Sequence, residues 1–229
     1  TDQEVLFLDK YRSKLSELFY LCIPETNALR TASDKFLLQN VLHKNNLNYP
    51  RSFLIDTSSS DEDLSNISCP CLLKPVFSNE WKTPQAKSLL GDQKGIIVQN
   101  LDQLKQVSNT VFSISEQIIA QEIIQQKGYE NYSFCSYSDT QGNILHGFVT
   151  QKLIQYPDKF GTALLCQTVD NPRIAEYGAK VVKALGIDGI AETEIIVDAQ
   201  TDELYVIEVN PRHWMQHRLS TRLGVNYTL

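Results

Sequence analysis

No stretch of this sequence approaches the roughly 18 consecutive apolar residues of a membrane-crossing helix. No run of Lys and Arg gathers into a basic stripe either, and the formal net charge is −6. A membrane and a nucleic-acid backbone are therefore not expected as partners. The opening Thr1-Asp2-Gln3-Glu4 lacks the basic, then apolar, character of a secretory signal. Five cysteines (Cys22, Cys69, Cys71, Cys135, Cys166) form an odd, scattered set. Cys69-Pro70-Cys71 is too tight for the usual spacing of paired zinc ligands, and no second Cys or His pair follows to complete a site. Reduced thiols in a cytoplasmic protein are the expectation. The four histidines are equally dispersed. No Ser/His/Asp or Cys/His arrangement suggests a covalent nucleophile, and no internal repeat is visible.

What is present is an ordinary globular composition, long enough for one large domain or two small lobes. A first helix is expected over residues 4–21, ending before Pro24. A second opens at Ser33-Asp34, where either side chain can cap it, and carries Leu37, Leu38, Val41 and Leu42 at helical spacing. Strands are expected at 51–55, 71–75 and 95–98, with a polar loop or helix over 58–68 between the first two. Further strands follow at 118–124, 132–138 and 144–153, the last two joined by a turn at Gly142-Asn143. Asn171-Pro172 starts a helix with Ile174, Gly178, Val181 and Leu185 on one stripe, and Gly186 ends it. Two strands, 189–197 and 204–210, precede a last helix over 214–223. The fold class expected is α+β with antiparallel sheets, in two lobes meeting near residue 119.

The most informative stretch is the acidic hairpin from Ile190 to Arg212. Centred on Thr201, it places Glu194 opposite Glu208, Glu192 opposite Asn210 and Ile196 opposite Val206, all on one side. Thr193, Ile195, Val197, Tyr205, Ile207 and Val209 then form a core face. Opposed carboxylates repel and destabilise a ladder. A divalent cation removes that repulsion, and Mg²⁺ favours one or two carboxylates with phosphate oxygens. A solvated polar face is the other reading of the same residues. Arg212 follows at a proline-fixed position, where its planar fork suits phosphate or, equally, a nearby acid.

At these residues the sequence resembles the ATP-grasp superfamily, through Glu194 and the strand end Glu208-Val209-Asn210-Pro211-Arg212. The resemblance implies an ATP-grasp fold of two lobes, each an antiparallel sheet with helices, with ATP between them. It implies that Glu194, Glu208 and Asn210 hold Mg²⁺ (with Mn²⁺ as an alternative), and that Arg212 contacts the transferred phosphoryl group. Asp34-Lys35 is similar to the family's helix-opening pair, so Lys35 would reach the phosphates. Lys74, in Leu72-Leu73-Lys74-Pro75, resembles the strand lysine of the α- and β-phosphates. Gln121-Glu122-Ile123-Ile124 resembles the hinge that reads adenine, Glu130 the acid that holds the ribose, and Lys152 a further phosphate-contacting cation. Ile207 is grouped with the nucleotide-contacting residues. Taken alone, Lys35 and Lys74 read as solvated lysines, and Glu122 and Glu130 as surface acids. Lys159 competes with Lys152, and Glu192 replaces Glu194 if the hairpin slips. His213, Trp214 and His217 read as core or rim packing.

The activity implied is an ATP- and Mg-dependent carboxylate–amine (or thiol) ligase, with affinities to the carbamoyl-phosphate-synthase-like group. Its partners would be ATP, a small-molecule carboxylate and an amine, and a homodimer is an allowed assembly. The alternative is a nucleotide-binding or regulatory module without independent turnover. The loop from Pro75 to Lys82 departs from the family by lacking a glycine-rich phosphate grip, although Ser78, Asn79 and Lys82 offer polar contacts. Residues 1–33 are too few for the open α/β domain that usually precedes the Asp-Lys helix, and Gly224 to Leu229 stop where relatives continue. The organisation expected is therefore a remnant or linker over 1–33, a first lobe over 34–118 and a C-terminally shortened second lobe over 119–229.

Overall fold

Helix α1 (Asp2–Lys10) and a short α2 (Arg12–Leu15) stand where one helix over 4–21 is expected. Between them Tyr11 leaves helical geometry, with φ −108° and ψ 17°. Arg12 then binds Asp9 at 2.8 Å and the carbonyl of Pro24, while Thr26 also donates to Asp9. These bonds turn the chain back rather than letting the helix continue. α3 (Thr26–Ser33) follows, burying Ala28, Leu29 and Ala32. α4 (Lys35–Lys44) opens at Asp34, whose Oδ1 accepts from the amides of Phe36 and Leu37 at 2.9 and 3.0 Å.

The computed structural model describes residues 1–91, 93–156 and 160–227. They form two compact units: Asp34–Gln39 with Pro50–Ile124, and Thr1–Ser33 with Asn40–Tyr49 and the residues from Gln125 onward.

In the smaller unit β1 (Ser52–Asp56), α5 (Asp61–Ser65), β2 (Cys71–Pro75), α6 (Pro84–Leu90), β3 (Ile96–Val98), α7 (Leu101–Val111) and β4 (Gln117–Glu122) follow in order. A 3-10 turn, Glu80–Lys82, precedes α6. The sheet order is β1-β4-β2-β3, and all its pairs are antiparallel. Ser60, Thr83 and Asn100 cap α5, α6 and α7 by accepting from backbone amides two or three residues into each helix. The core is built from Ile55, Leu73, Trp81, Val98, Leu104 and Ile118 with their neighbours. A division at 118/119 would cut β4. The strand pairs with both β1 and β2, so it belongs whole to this unit, which runs on to Ile124.

The larger unit holds β5 (Gln126–Ser138), β6 (Ile144–Tyr156), β7 (Thr162–Val169), α8 (Pro172–Leu185), β8 (Gly189–Asp198), β9 (Leu204–Asn210) and α9 (Arg218–Arg222). Its antiparallel sheet has the order β7-β6-β5-β8-β9. The whole is α+β with two antiparallel sheets. Asn171 caps α8 by accepting from Ile174, Pro172 occupies the first turn, and Gly186 ends it at φ 62°. The buried stripe of Ile174, Gly178, Val181 and Leu185 faces a core of Tyr132, Phe134, Val149, Ile195, Val197 and Leu204. α9 is shorter than the helix expected over 214–223. Trp214 is buried against Cys135 and Ile190, so the chain is pinned to the sheet before a helix starts.

Gly178 is the tightest contact of this core, since an added Cβ would lie 2.5 Å from Cβ of Phe134. Alanine raises helix propensity by about 1 kcal/mol, but it overpacks a ring held by its own backbone. Gly178→Ala should therefore destabilise the protein, by about 1–3 kcal/mol, read as a lowered urea midpoint with an unchanged slope. An unchanged or raised midpoint would show that the helix and ring can move apart.

Candidate active site

One face of the larger sheet packs on α8, and the opposite face carries rows of polar side chains. Across the strands Glu208, Glu194, Ser133, Thr150 and Thr168 form one row. Asn210, Glu192, Cys135 and Phe148 form the next. Directly paired residues share a face, so three carboxylates and one amide are brought together within two rows. Glu192, Asn210, Ser133 and Thr150 are all buried.

The pairing of Glu194 with Glu208, and of Glu192 with Asn210, agrees with a hairpin centred on Thr201. Beyond Glu194 the register slips. Ile195 pairs with Val206, Ile196 with Tyr205 and Val197 with Leu204, leaving Ile207 as the extra residue of a bulge. The expected opposition of Ile196 and Val206 is thus wrong by one residue. The physical reason is the core. The slip lets Leu204 and Val206, both buried, join Val197 and Ile195 on the α8 face, while Glu208 and Asn210 stay on the polar face. Tyr205 and Ile207, expected in the core, are instead half-buried.

Cations bracket the acids. Lys152 Nζ donates to Glu194 at 3.2 Å and lies 3.5 Å from the carbonyl of Gly161. Lys159, its competitor in the sequence reading, lies outside the described residues. Arg212 donates to Oδ1 of Asn210 at 2.9 Å and to the carboxylate of Asp2. Glu192 is only 6% exposed. It accepts from Asn210 Nδ2 at 3.3 Å and Gln216 Nε2 at 3.1 Å. Burial, and next the charge of Glu194, push its carboxyl up to about 7, against the opposing pull of Ser133. Among the described residues no three His, Cys, Asp or Glu side chains are grouped to hold a metal by themselves. The donor set here is two carboxylates and an amide oxygen.

The smaller unit gathers the other expected residues. Lys35 is buried, and its Nζ donates to Ser78 Oγ at 2.9 Å and to the carbonyl of Val76 at 3.3 Å. Lys74 Nζ donates to Gln121 Oε1 at 3.0 Å. Gln121, only 2% exposed, passes its amide hydrogen to Ser52 Oγ at 3.0 Å. Gln39 in turn clasps the backbone of Ser52 from both sides, at 2.6 and 3.2 Å. The Glu122 carboxylate accepts from the Arg51 amide at 3.2 Å, at the strand edge. Ile123 and Ile124 are half-buried and follow the last residue of β4. Glu130, half-buried on β5 of the other unit, lies near Lys127, whose pKa is raised chiefly by its hydrogen bond to Asp202 and less by Glu130.

Glu192, Gln216 and Asp2 are the residues the sequence reading missed or held in reserve. Glu192 was signalled by its alternation with Glu194 and its place opposite Asn210. Asp2 carries no sequence signal, because its bond to Arg212 spans 210 residues.

Two antiparallel-sheet units, one ending its last strand in an opposed acid, an amide and an arginine, define an ATP-grasp architecture. The chain belongs to the ATP-grasp domain family, whose model matches residues 32–214. It is 28% identical over 191 residues to a D-alanine–D-alanine ligase of Carboxydothermus hydrogenoformans, covering 78% of this chain and 58% of that protein. In fold it is similar to the D-alanine–D-alanine ligase of Bacillus anthracis, with a TM-score of 0.69 and 16% identity over 95% of this chain and 70% of the other. The L-amino acid ligase of Bacillus licheniformis gives a TM-score of 0.69 with 22% identity, covering 99% of this chain and 52% of the other.

The loop after Lys74 is built around Trp81, whose Nε1 donates to Ser115 Oγ at 3.2 Å, with Glu80 beside the same hydroxyl at 3.4 Å. Burial lifts the Glu80 carboxyl above its ordinary 4.5, against Ser115 and Lys35. A raised folded-state value means that this group's contribution to stability is full below the unfolded value and lost as pH rises through the folded one. Glu80→Gln keeps an oxygen for Ser115 and removes the charge. It should raise the thermal midpoint at pH 7 and leave it unchanged near pH ~4. A gain of equal size at both pH values would assign the effect to packing instead.

Proposed function

We propose that this chain binds ATP with Mg²⁺ and activates a substrate carboxylate as an acyl phosphate, which an amine or similar nucleophile then attacks. The observation that carries this reading is the direct opposition of Glu194 and Glu208 on β8–β9, with Asn210 one row further on. Carboxylates and an amide oxygen are hard ligands of the kind Mg²⁺ takes, the remainder coming from phosphate oxygens. When bound, the ion neutralises charge on the β- and γ-phosphates as the phosphoryl group moves.

The chain's own residues do the positioning. Glu194, Glu208 and Asn210 would hold the ion, and Lys35, Lys74, Lys152 and Arg212 would each contribute a cation for phosphate. Glu122, Ile123 and Ile124 serve the adenine, with Ile207 and Gln121, and Glu130 the ribose hydroxyls. The γ-phosphoryl group passes to a carboxylate oxygen and ADP leaves. The amine then adds to the acyl carbon, loses a proton and expels phosphate. Lys152 is paired with Glu194 at 3.2 Å, and its ammonium would be released toward phosphate where Glu194 served as a metal ligand. The ligases of amino acids among its relatives support a carboxylate–amine pairing. The chain spans only 58% of the length of its ligase relative, so the whole protein's substrates are part of this proposal.

Thermal unfolding with ATP, in Mg²⁺ or in EDTA, tests the reading. ATP should raise the midpoint only with Mg²⁺, by an amount equivalent to about 2.7 kcal/mol at 100-fold saturation, and Glu208→Ala should abolish the rise. A Mg²⁺-independent shift, or none, would overturn the metal assignment. Phosphate release that needs both an added acid and an amine would mark a ligase. Mg-ATP binding with no such release would leave a nucleotide-binding module.

A further inference from the structure

Arg212 follows Pro211, and its amide donates back to the Asn210 carbonyl at 2.8 Å, so the backbone is turned and fixed at this point. Its side chain is long and rich in rotamers, and the backbone alone does not aim it. A guanidinium carries five N–H donors in one rigid plane. Three are engaged here: Nε donates to Asp2, Nη1 to the His213 carbonyl at 3.1 Å, and Nη2 to Asn210 Oδ1 at 2.9 Å. His213 and Asn210 are near neighbours in the chain and hold only the local bend. Asp2 is 210 residues away and is the one ionic partner of Arg212 among the described residues.

The two side chains are only 21% and 23% exposed, so water screens the pair less than it would a surface ion pair. Asp2 is itself held in place. It is the first residue of α1, and Val5 is buried one turn further on. Toward the other end of that helix, Asp9 accepts from Arg12 and Thr26. The carboxylate is thus delivered by an anchored helix rather than by a loose end. Two N–H groups of the guanidinium are left, one on each Nη, and a phosphate takes such a pair bidentately. A planar fork aims both donors only when its plane is set, and the bond from Nε to Asp2 sets it at the end nearest the stem.

We propose that Asp2 is a positioning residue, which sets the plane of Arg212 so that its two remaining N–H groups meet the terminal phosphate of bound ATP. The assignment rests on the nucleotide reading above, in which Arg212 contributes a cation for phosphate. Asp2 touches no substrate atom and acts through the guanidinium alone.

The experiment is calorimetric titration of the full chain with a non-hydrolysable ATP analogue and with ADP, each in Mg²⁺. ADP lacks the terminal phosphate, so the ratio of the two affinities isolates the contact that Arg212 makes. Arg212→Ala and Asp2→Ala should each weaken binding of the analogue by about tenfold, the scale of one hydrogen bond to a charged group, and leave ADP binding unchanged. Asp2→Asn keeps an oxygen for Nε and should restore most of the analogue's affinity. A purely structural role for Asp2 would lower both affinities together, and that result overturns the assignment. So does an unchanged ratio in Asp2→Ala, or tighter binding of the analogue, which would make the carboxylate a competitor of phosphate. Failure of the unaltered chain to bind either nucleotide would instead overturn the ATP reading, and this assignment with it.

Discussion

Two carboxylates fixed side by side across a β-ladder repel each other whatever else the sheet does, and much of the larger unit is arranged around that constraint. Opposed Cβ atoms sit about 4.5–5.5 Å apart, so Glu194 and Glu208 cannot separate without breaking the pairing. The chain tempers the repulsion with Lys152 on β6, and it shields a third acid, Glu192, behind two amide donors. α8 takes the opposite face, leaving the acids on a face that, among the described residues, no long helix covers. The bulge at Ile207 makes the two demands compatible. Leu204 and Val206 turn to the core, and two residues later Glu208 and Asn210 still face away from it.

The smaller unit solves a related problem with neutral groups. Lys74 is carried on a strand whose other residues are buried, so its ammonium needs a held acceptor. Gln121 supplies one because its own amide is satisfied by Ser52, and Ser52 is clasped by Gln39. A chain of this kind is stiff when complete, since each member's hydrogen bonds fix the next. Lys35 is held separately, by Ser78 and the Val76 carbonyl in the loop that Trp81 anchors. That loop lacks a glycine-rich grip, and a buried aromatic ring anchors it instead.

Legibility in the sequence followed the range of the interactions. The capping of α4 by Asp34 and of α8 by Asn171, with Gly186 as the stop, depends on residues a few positions apart and could be read directly. So could the pairing of Glu194 with Glu208, because a short turn dictates the hairpin. The bulge could not, because it answers to the burial of Val206 and Leu204 opposite Ile195 and Val197. The break at Tyr11 depends on Arg12 reaching Pro24, and the shortening of the last helix depends on Trp214 settling on Cys135 and Ile190. Helices α3 and α7 were not expected although each carries a buried stripe, Ala28, Leu29 and Ala32 in one and Leu104, Ser108 and Val111 in the other.

The orientation of Asn210 shows how far such long-range contacts reach into the proposed metal site. An amide side chain presents oxygen or nitrogen according to its neighbours, and the network around it assigns which. Glu192, an acceptor while ionised, attracts Nδ2, and Arg212, a donor only, attracts Oδ1. Turning the amide over would set a guanidinium against an NH₂ group and, whenever Glu192 is ionised, a carboxylate against an oxygen. The oxygen is therefore held in the orientation that a cation would require before any cation arrives. Neither residue enforcing that orientation is a proposed ligand of the ion. One is steadied by Gln216, from the segment after β9, and the other by Asp2, from the first helix of the chain. The strand-end motif is short in sequence, but what its asparagine can do is decided by residues from both ends of the chain.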